Sequence, residues 1–554
     1  RLRDGRLLRL DDSLEVLDEL NETLELSGAK LGQSHARLPI YRAPSLDWAL
    51  SGQTGVRFDR DDAFRRISRS FHAVKDSEYA PPASLQKTLR KYQRDGYRWL
   101  RTLDSYGMGG VLADDMGLGK TVQVLSYLLA MKQSGQTESK GLLPSLIVCP
   151  ASLVLNWAEE CRKFTPELTC VVVDGDAAHR AALAESWPAA DLVVTSYDLL
   201  RRDETLYEGQ EFYACILDEA QAIKNHTTQK YKAVCKVRSR VRFALTGTPV
   251  ENRLGELWSI FSFLMPGYLP PYKSFCSRFE KPIVQEEDQA AVRRLNQLTG
   301  PFILRRMKAD VLKELPPKTE NVYRIELEEE QRKLYLAAVV DAREKLRAAK
   351  PEDKMAVFAV LMRLREICCD PRLIADNWEG GSAKLDACVE LISGAVEGGH
   401  RILLFSQFTS MLELLAKRLD AEGISHFTLQ GSTPKPVRAE LVRRFNGGEV
   451  SVFLISLRAG GTGLNLTAAD IVIHYDPWWN VAAQNQATDR AYRIGQQNPV
   501  QVYKLIAQDT IEEKIVELQQ AKQSLADTVT GTADGAILSM RPDELLQLLE
   551  GSEG

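Results

Sequence analysis

The chain has 554 residues, 44% of them hydrophobic and 26% charged, with a formal net charge of −4 at pH 7. A chain of this length exceeds one hydrophobic core, so we expect about two to four domains. No apolar run reaches the length of a membrane span, which argues against a membrane role. The slight acidity does not exclude a nucleic-acid partner, because one basic groove suffices to bind one.

The cysteines and histidines show no spacing typical of a structural metal site. Nine cysteines are scattered without a CxxC pair, and the seven histidines are equally dispersed. We therefore expect reduced thiols in a cytoplasmic protein and no zinc in this segment. The chain begins at Arg1 instead of Met, as a fragment would, and offers no signal peptide.

Short apolar runs predict the first α/β lobe. Residues 1–80 are polar and end in SEYAPPASL, whose prolines indicate a linker. From 85 to about 250, helical stretches alternate with GGVLAD, LLPSLIVC, DLVVTS, YACILD and VRFALTG. Nearly continuous apolar runs of this kind are typical of strands buried on both faces of a parallel sheet.

The same pattern returns in the second half of the chain. Between 401 and 506 the runs are RILLF, HFTLQ, VSVFLIS, DIVIHY and VQVYKLI, which predict a second α/β lobe. The stretch 255–380 is mostly helical in pattern, with a basic cluster at RRMK. After 508 we expect an exposed amphipathic helix at IEEKIVELQQAKQSL, a mobile loop at GTADG and a short terminal helix at RPDELLQLLEG.

Residues 111–121, VLADDMGLGKT, place a glycine-bearing loop between an apolar strand and the helical stretch VQVLSYLLAM. This order is typical of a phosphate cradle, in which backbone N–H groups and a helix N-terminus surround the phosphates. Asp114 replaces the first Gly of the usual GxxxxGKT pattern. The residues expected to hold nucleotide are Asp115, Met116, Gly117, Leu118, Gly119, Lys120 and Thr121, with the Thr121 hydroxyl on Mg²⁺.

A second apolar run, YACILDEAQ, ends in two carboxylates. Asp218 at the strand end can hold Mg²⁺ through water, and Glu219 can polarise an attacking water. A solvated turn is the ordinary alternative for such a pair. A strand, loop and GKT earlier in the chain favour ATP hydrolysis.

The second lobe carries LISLRAGGTGLNLTAAD at 454–470 and DPWWNVAAQNQATDRAYRIGQ at 476–496. Arg490 and Arg493 are three residues apart, hence on one face if this stretch is helical. A solvated face is the alternative, but after a Gly-rich strand exit they are well placed to act as arginine fingers on a transferring phosphoryl group. ATP would then lie between the lobes, and catalysis would require closure.

An ordered series of motifs runs through about residues 85–525. In chain order they are LRKYQRDGYRWL (89–100), DDMGLGKT (114–121), LIVCPASLVLNW (146–157), TSYDLL (195–200), LDEAQ (217–221), LTGTPVEN (245–252), LREICCDP (364–371), LLFSQFTSML (403–412), SLRAGGTGLNL (456–466) and DRAYRIGQ (489–496). Together these motifs resemble those of the SWI/SNF (sucrose-non-fermenting) family of DNA-translocating ATPases in helicase superfamily two, and specifically its bacterial branch.

The resemblance implies two RecA-like parallel-sheet lobes and a role for each motif. Gln93 would read adenine and Gly463 would join the nucleotide-binding residues. Lys120 and Thr121 would hold phosphate and Mg²⁺, Asp218 and Glu219 would be the catalytic acids, and Arg490 and Arg493 the fingers. The chain departs from the family at three positions without losing a catalytic charge: Asp115 for Glu, Gln221 for His and Tyr492 for His.

The predicted division of the chain follows from the same motifs. It comprises an N-terminal appendage and linker (1–80), an ATP-binding RecA-like lobe (81–325) with a helical insertion at about 255–320, a helical linker (326–380), a second RecA-like lobe (381–507) and a C-terminal helical extension (508–554).

Polar residues that follow strands are candidates for contacts to a DNA backbone, which position a duplex without reading its sequence. The candidates are Thr246, Asn252, Ser406, Gln407, Ser456 and Thr462. Bland turn chemistry is the rival explanation for Thr246 and Asn252. Arg305, Arg306, Lys308 and Lys313 resemble the family's RRxKxDV segment, with a solvated helix face as the alternative.

The expected function is an ATP-driven double-stranded DNA translocase that remodels protein–DNA complexes without separating strands. Its partners would be duplex DNA and RNA polymerase or another DNA-bound complex, in the cytoplasm and associated with the nucleoid. A strand-separating DNA or RNA helicase is the first alternative, against which RAGGTGLNL and DRAYRIGQ count. A nucleotide-gated binding module without turnover is the second, against which the intact catalytic residues count.

Overall fold

The computed structural model describes residues 39–44, 46–47, 61–72, 77–135, 143–247, 254–286, 288–350, 353–375, 377–460, 464–479, 481–519 and 542–550. The chain divides into two compact units. Unit 1 comprises Arg1–Asp115, Gly119–Pro249 and Arg253–Met307, and unit 2 comprises Met116–Leu118, Val250–Asn252 and Lys308–Gly554.

Unit 1 is built on a seven-stranded sheet in the order β3-β4-β2-β5-β6-β1-β7, with every neighbouring pair parallel. The strands are β1 (Gly110–Leu112), β2 (Ser145–Cys149), β3 (Cys170–Val172), β4 (Leu192–Ser196), β5 (Glu211–Asp218), β6 (Arg238–Leu245) and β7 (Ile303–Leu304). The five apolar runs predicted as strands in this half all form strands. The short, partly exposed edge strands β3 and β7 were not predicted, because they contain no long apolar run.

The connections in unit 1 are helical, as parallel strands require. The helices α1 (Asp62–His72) and α2 (Lys91–Ser105) precede β1. The connecting helices are α3 (Lys120–Gln133), α4 (Val154–Phe164), α5 (Ala177–Ser186), α6 (Tyr197–Arg202), α7 (Glu204–Glu208), α8 (Gln229–Lys236), α9 (Leu254–Leu264), α10 (Tyr272–Phe275), α11 (Lys281–Gln285) and α12 (Gln289–Thr299). Several begin at a side chain that accepts a hydrogen bond from the first turn, namely Asp176, Ser196, Thr228 and Asp288.

Unit 2 is built on a six-stranded parallel sheet in the order β10-β11-β9-β12-β13-β8. The strands are β8 (Lys318–Ile325), β9 (Ile402–Ser406), β10 (His426–Leu429), β11 (Val452–Ser456), β12 (Ile471–His474) and β13 (Val500–Ala507). The two parallel-sheet units confirm the predicted α/β fold.

Strand β8 differs from the predicted division, which placed residues up to 325 in the first lobe. It pairs with β13 along its whole length, from Lys318 opposite Val500 to Ile325 opposite Ala507. Its sequence, KTENVYRI, is polar and its side chains are exposed except for Ile325. An edge strand of this kind gives no apolar run by which to recognise it.

The helices of unit 2 are α13 (Lys308–Val311), α14 (Glu329–Ala348), α15 (Lys354–Cys369), α16 (Ala383–Glu397), α17 (Thr409–Ala421), α18 (Lys435–Asn446), α19 (Leu457–Gly460), α20 (Val481–Thr488) and α21 (Pro542–Glu550), with residues 511–519 also helical. The 511–519 helix is packed rather than exposed, because Ile511 and Ile515 lie in a core with α14, α15 and α21. GTADG lies outside the described residues. Within the described ranges, none of the helices combines the length and apolar character that crossing a bilayer needs.

Candidate active site

The glycine-bearing loop connects β1 to α3, as predicted. Gly119 has left-handed backbone angles, φ 73° and ψ 49°, and α3 begins directly after it. No side chain caps the start of α3, and its first turn contains no acidic residue. A helix N-terminus carries partial positive charge, so this start suits a bound anion.

Gly119 is required at its position for two reasons. Its positive φ is unfavourable for other residues. A Cβ there would also lie 2.5 Å from Gln93 Nε2. Gln93 is buried, and its Oε1 accepts a hydrogen bond from the Arg90 backbone N–H at 2.9 Å. The Gln93 amide therefore lies against the loop, and its reading of adenine stays a prediction.

Lys120 turns back onto the loop that precedes it. Its Nζ donates to the Asp114 carbonyl at 2.7 Å and lies 3.5 Å from the Asp115 carbonyl. An ammonium with three donors can hold a carbonyl and still offer a donor to a phosphate oxygen. The glycine cradle, the uncapped helix start and Lys120 together fit the phosphates of ATP.

The predicted acids lie at the carboxyl end of β5. Asp218 is its last residue, and Glu219 follows with φ 49° and ψ 56°. Left-handed angles are uncommon for a residue other than Gly and cost about 1–3 kcal/mol. In the sheet order β5-β6-β1, the carboxyl ends of all three strands lie at one edge, so the acids and the loop after β1 share that edge.

Several groups hold Asp218 in place. Trp157 Nε1–H donates to its Oδ2 at 2.8 Å, the Glu219 backbone N–H donates to its Oδ1 at 2.9 Å, and Tyr197 Oη–H donates to its carbonyl at 2.9 Å. Burial and the neighbouring Glu219 charge raise the pKa of Asp218 to about 7, against the opposing effects of Trp157 and Lys120. Crowded carboxylates of this kind favour a bound cation, so the residues present fit Mg²⁺.

Gln221 links Glu219 to the next strand exit. Its Nε2 donates to Glu219 Oε2 at 2.9 Å, and its Oε1 accepts from Thr246 Oγ1 at 3.0 Å. Thr246 is fully buried. The structure thus places this predicted DNA contact inside unit 1, two hydrogen bonds from a predicted catalytic acid.

In unit 2, Ser406 and Ser456 end the neighbouring strands β9 and β11 and are paired in register. Asp476 accepts from Ser406 Oγ at 2.6 Å and from the Gln407 backbone N–H at 3.2 Å. The Gln407 side-chain Nε2 is buried and has no hydrogen-bond partner among the described residues. A pocket of about 490 Å³ is lined by Gln407, Thr409, Gln430, Ser432, Ser456 and Trp478, among others. Apolar side chains, among them Phe358, Met362 and Leu457, line the rest of it. Two of the predicted DNA contacts, Gln407 and Ser456, therefore line one pocket of mixed character.

Asp476 is itself held by Arg365 of the LREICCDP motif. Arg365 is fully buried, and its Nη2 donates to Asp476 Oδ2 at 3.0 Å and to the Pro477 carbonyl at 2.5 Å. Its guanidinium lies 4.3 Å from the centre of the Trp479 ring. The Asp476–Arg365 pair therefore fixes the end of β9 through the hydrogen bonds of Asp476 to Ser406 and Gln407.

Arg490 and Arg493 do not share a helix face, because α20 ends at Thr488 and both follow it in turns. Arg490 is buried, and Arg493 Nη1 donates to the Leu464 carbonyl at 3.4 Å. Their role as fingers stays a prediction.

Lys308, also in unit 2, is not on a solvated face. Its Nζ lies 2.5 Å from Asp489 Oδ1 and donates to the Tyr492 carbonyl at 2.7 Å. Asn252, Thr462 and Gly463 lie outside the described residues, and their roles remain predictions.

Sequence reasoning missed the supporting roles of Trp157, Tyr197 and Arg365, and it named Arg306 without its partner Asp114. Each lies in a segment whose sequence had been singled out, but no spacing connects any of them to its partner. The only signal was that bulky aromatic and Arg side chains recur inside otherwise functional motifs.

Comparison with known proteins agrees with the motifs. The SNF2-related domain matches residues 92–373, the helicase conserved C-terminal domain 383–495, and the bacterial SNF2 helicase associated domain 1–82. An uncharacterized ATP-dependent helicase of Mycoplasma genitalium is 40% identical over 467 residues, which are 83% of this chain and 44% of that protein.

Two further relatives show the range of the likeness. YwqA of Bacillus subtilis is 38% identical over 509 residues, 90% of this chain and 55% of that protein. Human TATA-binding protein-associated factor 172 is 36% identical over 542 residues, 85% of this chain and 29% of that protein. The chain thus spans about half the length, or less, of these curated relatives. With its SNF2-related domain, helicase C-terminal domain and bacterial associated domain, the chain belongs to the bacterial branch of the SNF2 family in helicase superfamily two.

Proposed function

We propose that this chain is an ATP-hydrolysing motor that moves along double-stranded DNA and remodels protein–DNA complexes without separating the strands. The observation that carries the proposal is that the phosphate loop with Lys120 follows β1, the Asp218–Glu219 pair ends β5, and both lie at the carboxyl end of one parallel sheet, in a chain of the SNF2 family. The Lys120 charge partly offsets the rise in the pKa of Asp218 that burial and Glu219 cause.

Each residue has a role that its position supports. Gly119, Lys120 and Thr121 would hold the phosphates, and Thr121 with Asp218 would hold Mg²⁺. When bound, Mg²⁺ neutralises charge on the phosphates. Glu219, fixed by Gln221, would orient and polarise the attacking water.

Arg490 and Arg493 would stabilise the charge that develops on the transferring phosphoryl group. Their guanidinium groups are always charged and present several donors in a planar fork, which matches phosphate geometry.

The duplex would be held through its backbone. Gln407 and Ser456 contribute polar groups to one pocket in unit 2, and polar donors of this kind position a nucleic acid without reading its bases. The name of the human relative ties that protein to the TATA-binding protein, which supports action on DNA-bound proteins. We propose RNA polymerase or another DNA-bound complex as the target, with the chain associated with the nucleoid.

A strand-separating helicase is the alternative, since the name of YwqA describes that protein as a helicase or translocase. ATP hydrolysis measured with duplex DNA, single-stranded DNA and RNA separates the two. We expect stimulation by duplex of any sequence, growing with duplex length and weakening steeply with salt, because phosphate contacts release counterions. Stimulation by single strands or RNA alone would favour the helicase.

A further inference from the structure

Asp114 takes the place of the first Gly in the usual phosphate-loop pattern, and its side chain is fully buried in unit 1. A carboxylate removed from water is unfavourable unless an opposite charge and hydrogen bonds compensate for its lost hydration. Its presence at the start of the loop therefore requires a specific partner.

That partner is Arg306 of the RRMK cluster. Arg306 Nε donates to Asp114 Oδ1 at 2.8 Å, and its Nη2 donates to Oδ2, which makes a two-point fork between a planar guanidinium and a carboxylate. Nη2 also donates to Gln123 Oε1 at 2.8 Å, and Gln123 Nε2 donates to Asp114 Oδ2 at 3.1 Å. Nη1 donates to the Tyr92 carbonyl, so each guanidinium nitrogen has an acceptor.

The backbone reinforces the pair. The Ala113 N–H donates to the Leu304 carbonyl at 2.7 Å, and the Asp115 N–H donates to the Arg306 carbonyl at 3.0 Å. These bonds continue the parallel pairing of β1 with β7 beyond the ends of both strands. The start of the phosphate loop is thus attached to the segment after β7 by main chain and side chains together.

Asp114 connects this attachment to the phosphate-binding group. Its carbonyl accepts the hydrogen bond from Lys120 Nζ at 2.7 Å, while its carboxylate is held by Arg306. A substitution of Arg306 would therefore shift Asp114, and with it the backbone carbonyl that accepts the hydrogen bond from Lys120.

Gly96 in α2 leaves room for the same cluster. A Cβ there would lie 1.8 Å from Gln123 Oε1 and 2.8 Å from Arg306 Nη2. Gly inside a helix is unfavourable relative to Ala, so its use here fits a need for close approach.

We propose that Arg306 is a positioning residue for the phosphate loop, acting through Asp114 on the backbone that orients Lys120. The proposal rests on the proposed nucleotide site and gives this basic residue a task other than DNA contact. Asp114, with both carboxylate oxygens occupied by Arg306 and Gln123, would not be a ligand of Mg²⁺.

The test measures binding of a fluorescent ATP analogue, together with kcat and KM for ATP, on the full chain with duplex DNA. Arg306→Lys keeps the charge but loses the fork, and we expect affinity for the analogue to fall by about tenfold or more. Gly96→Ala should reproduce this loss, although Ala favours the helix. Lys313→Ala removes an exposed charge from the same segment and should leave affinity unchanged.

Two further readouts separate positioning from a general effect on folding. We expect the thermal unfolding midpoints of Arg306→Lys and Gly96→Ala to lie near that of the parent chain. We also expect the double variant Asp114→Asn with Arg306→Lys to bind the ATP analogue no more weakly than Arg306→Lys alone. The Mg²⁺ concentration for half-maximal activity should stay constant in Asp114→Asn and rise in Asp218→Asn.

Affinity in Arg306→Lys equal to that in Lys313→Ala, or lost only in proportion to unfolded protein, would overturn the proposal, as would a raised Mg²⁺ requirement in Asp114→Asn. Lys120→Ala serves as the reference for the site itself. If Lys120→Ala binds the analogue normally, the nucleotide site is wrong and this proposal with it. If Lys120→Ala loses binding and Arg306→Lys does not, only the role of Arg306 is wrong.

Discussion

Each of the two units contains a buried Asp–Arg pair close to the loop that follows a parallel strand. In each, a buried Asp just beyond a parallel strand is held by an Arg from a distant segment: Asp114 after β1 by Arg306, and Asp476 after β12 by Arg365. In unit 1 the Arg binds both carboxylate oxygens and all its nitrogens have acceptors. In unit 2 the Arg binds the carboxylate through Nη2 alone, its Nε and Nη1 have no hydrogen-bond partner among the described residues, and aromatic rings surround it.

The difference follows what each Asp supports. Asp114 offers its carbonyl to Lys120, so its position sets where an ammonium lies. Asp476 offers its carboxylate to Ser406 and to the backbone of Gln407, so it fixes a strand end that presents polar side chains to a pocket. We infer that the Asp114–Arg306 pair positions groups for ATP binding and that the Asp476–Arg365 pair positions groups for DNA binding. The following substitutions test these two roles.

The largest effect is expected at the unit 1 site. Lys120→Ala and Glu219→Gln should both abolish turnover, but by different routes. Loss of the ammonium should weaken ATP binding, whereas Glu219→Gln should bind ATP nearly as well as the parent and fail in hydrolysis. Nucleotide binding and steady-state hydrolysis, measured side by side, check this. Near-normal hydrolysis by Glu219→Gln would show that another group activates the water.

Arg490→Ala or Arg493→Ala should lower kcat by about 10³-fold or more with a modest change in ATP affinity, because such groups act mainly in the transition state. Single-turnover hydrolysis at saturating ATP is the measurement. An effect confined to ATP affinity would contradict the assignment as fingers, and would mean that these arginines serve binding alone.

Gln407→Ala tests the unit 2 side of the comparison. We expect the duplex concentration for half-maximal stimulation to rise about tenfold to a hundredfold, while hydrolysis without DNA stays constant, since a hydrogen bond to a charged phosphate is worth about 1.5–3 kcal/mol. Lys417→Ala, an exposed basic residue on α17, is the matched control. Equal effects in the two variants would mean that Gln407 has no specific part in DNA binding.

The smallest effect on ATP chemistry is expected from Arg365→Met. Removing the Arg leaves Asp476 buried without its charged partner, which costs about 3–5 kcal/mol of folding free energy. Denaturant unfolding should show this loss, and Arg365→Met with Asp476→Asn should recover part of it. Hydrolysis per folded molecule without DNA should remain close to normal. A loss of ATP affinity like that expected for Arg306→Lys would erase the distinction between the pairs.

Much of the fold was predictable because strands buried on both faces of a parallel sheet consist of nearly continuous apolar residues. Every run predicted as a strand forms one, whereas β8 escaped notice because KTENVYRI is polar and lies at a sheet edge. The places of Lys120, Asp218 and Glu219 at strand ends were predictable because each motif is contiguous in sequence, and their catalytic roles stay predictions.

The supporting residues were not predictable, because their partners are remote. Arg306 lies 192 residues from Asp114, Arg365 lies 111 from Asp476, and Trp157 lies 61 from Asp218. Their contacts exist only once the sheets have formed. The family motifs contain these residues, but the motifs do not identify the side chains with which they form hydrogen bonds.

Movement along an intact duplex is the central claim, and displacement of a triplex-forming strand measures it most directly. The chain would be given a duplex carrying a third strand downstream, and in parallel an ordinary duplex of matched length, at the same ATP and salt, with Glu219→Gln as the inactive control. We predict ATP-dependent release of the third strand, none with Glu219→Gln, and no separation of the ordinary duplex. Efficient unwinding of that duplex, or retention of the third strand despite active hydrolysis, would contradict translocation along double-stranded DNA.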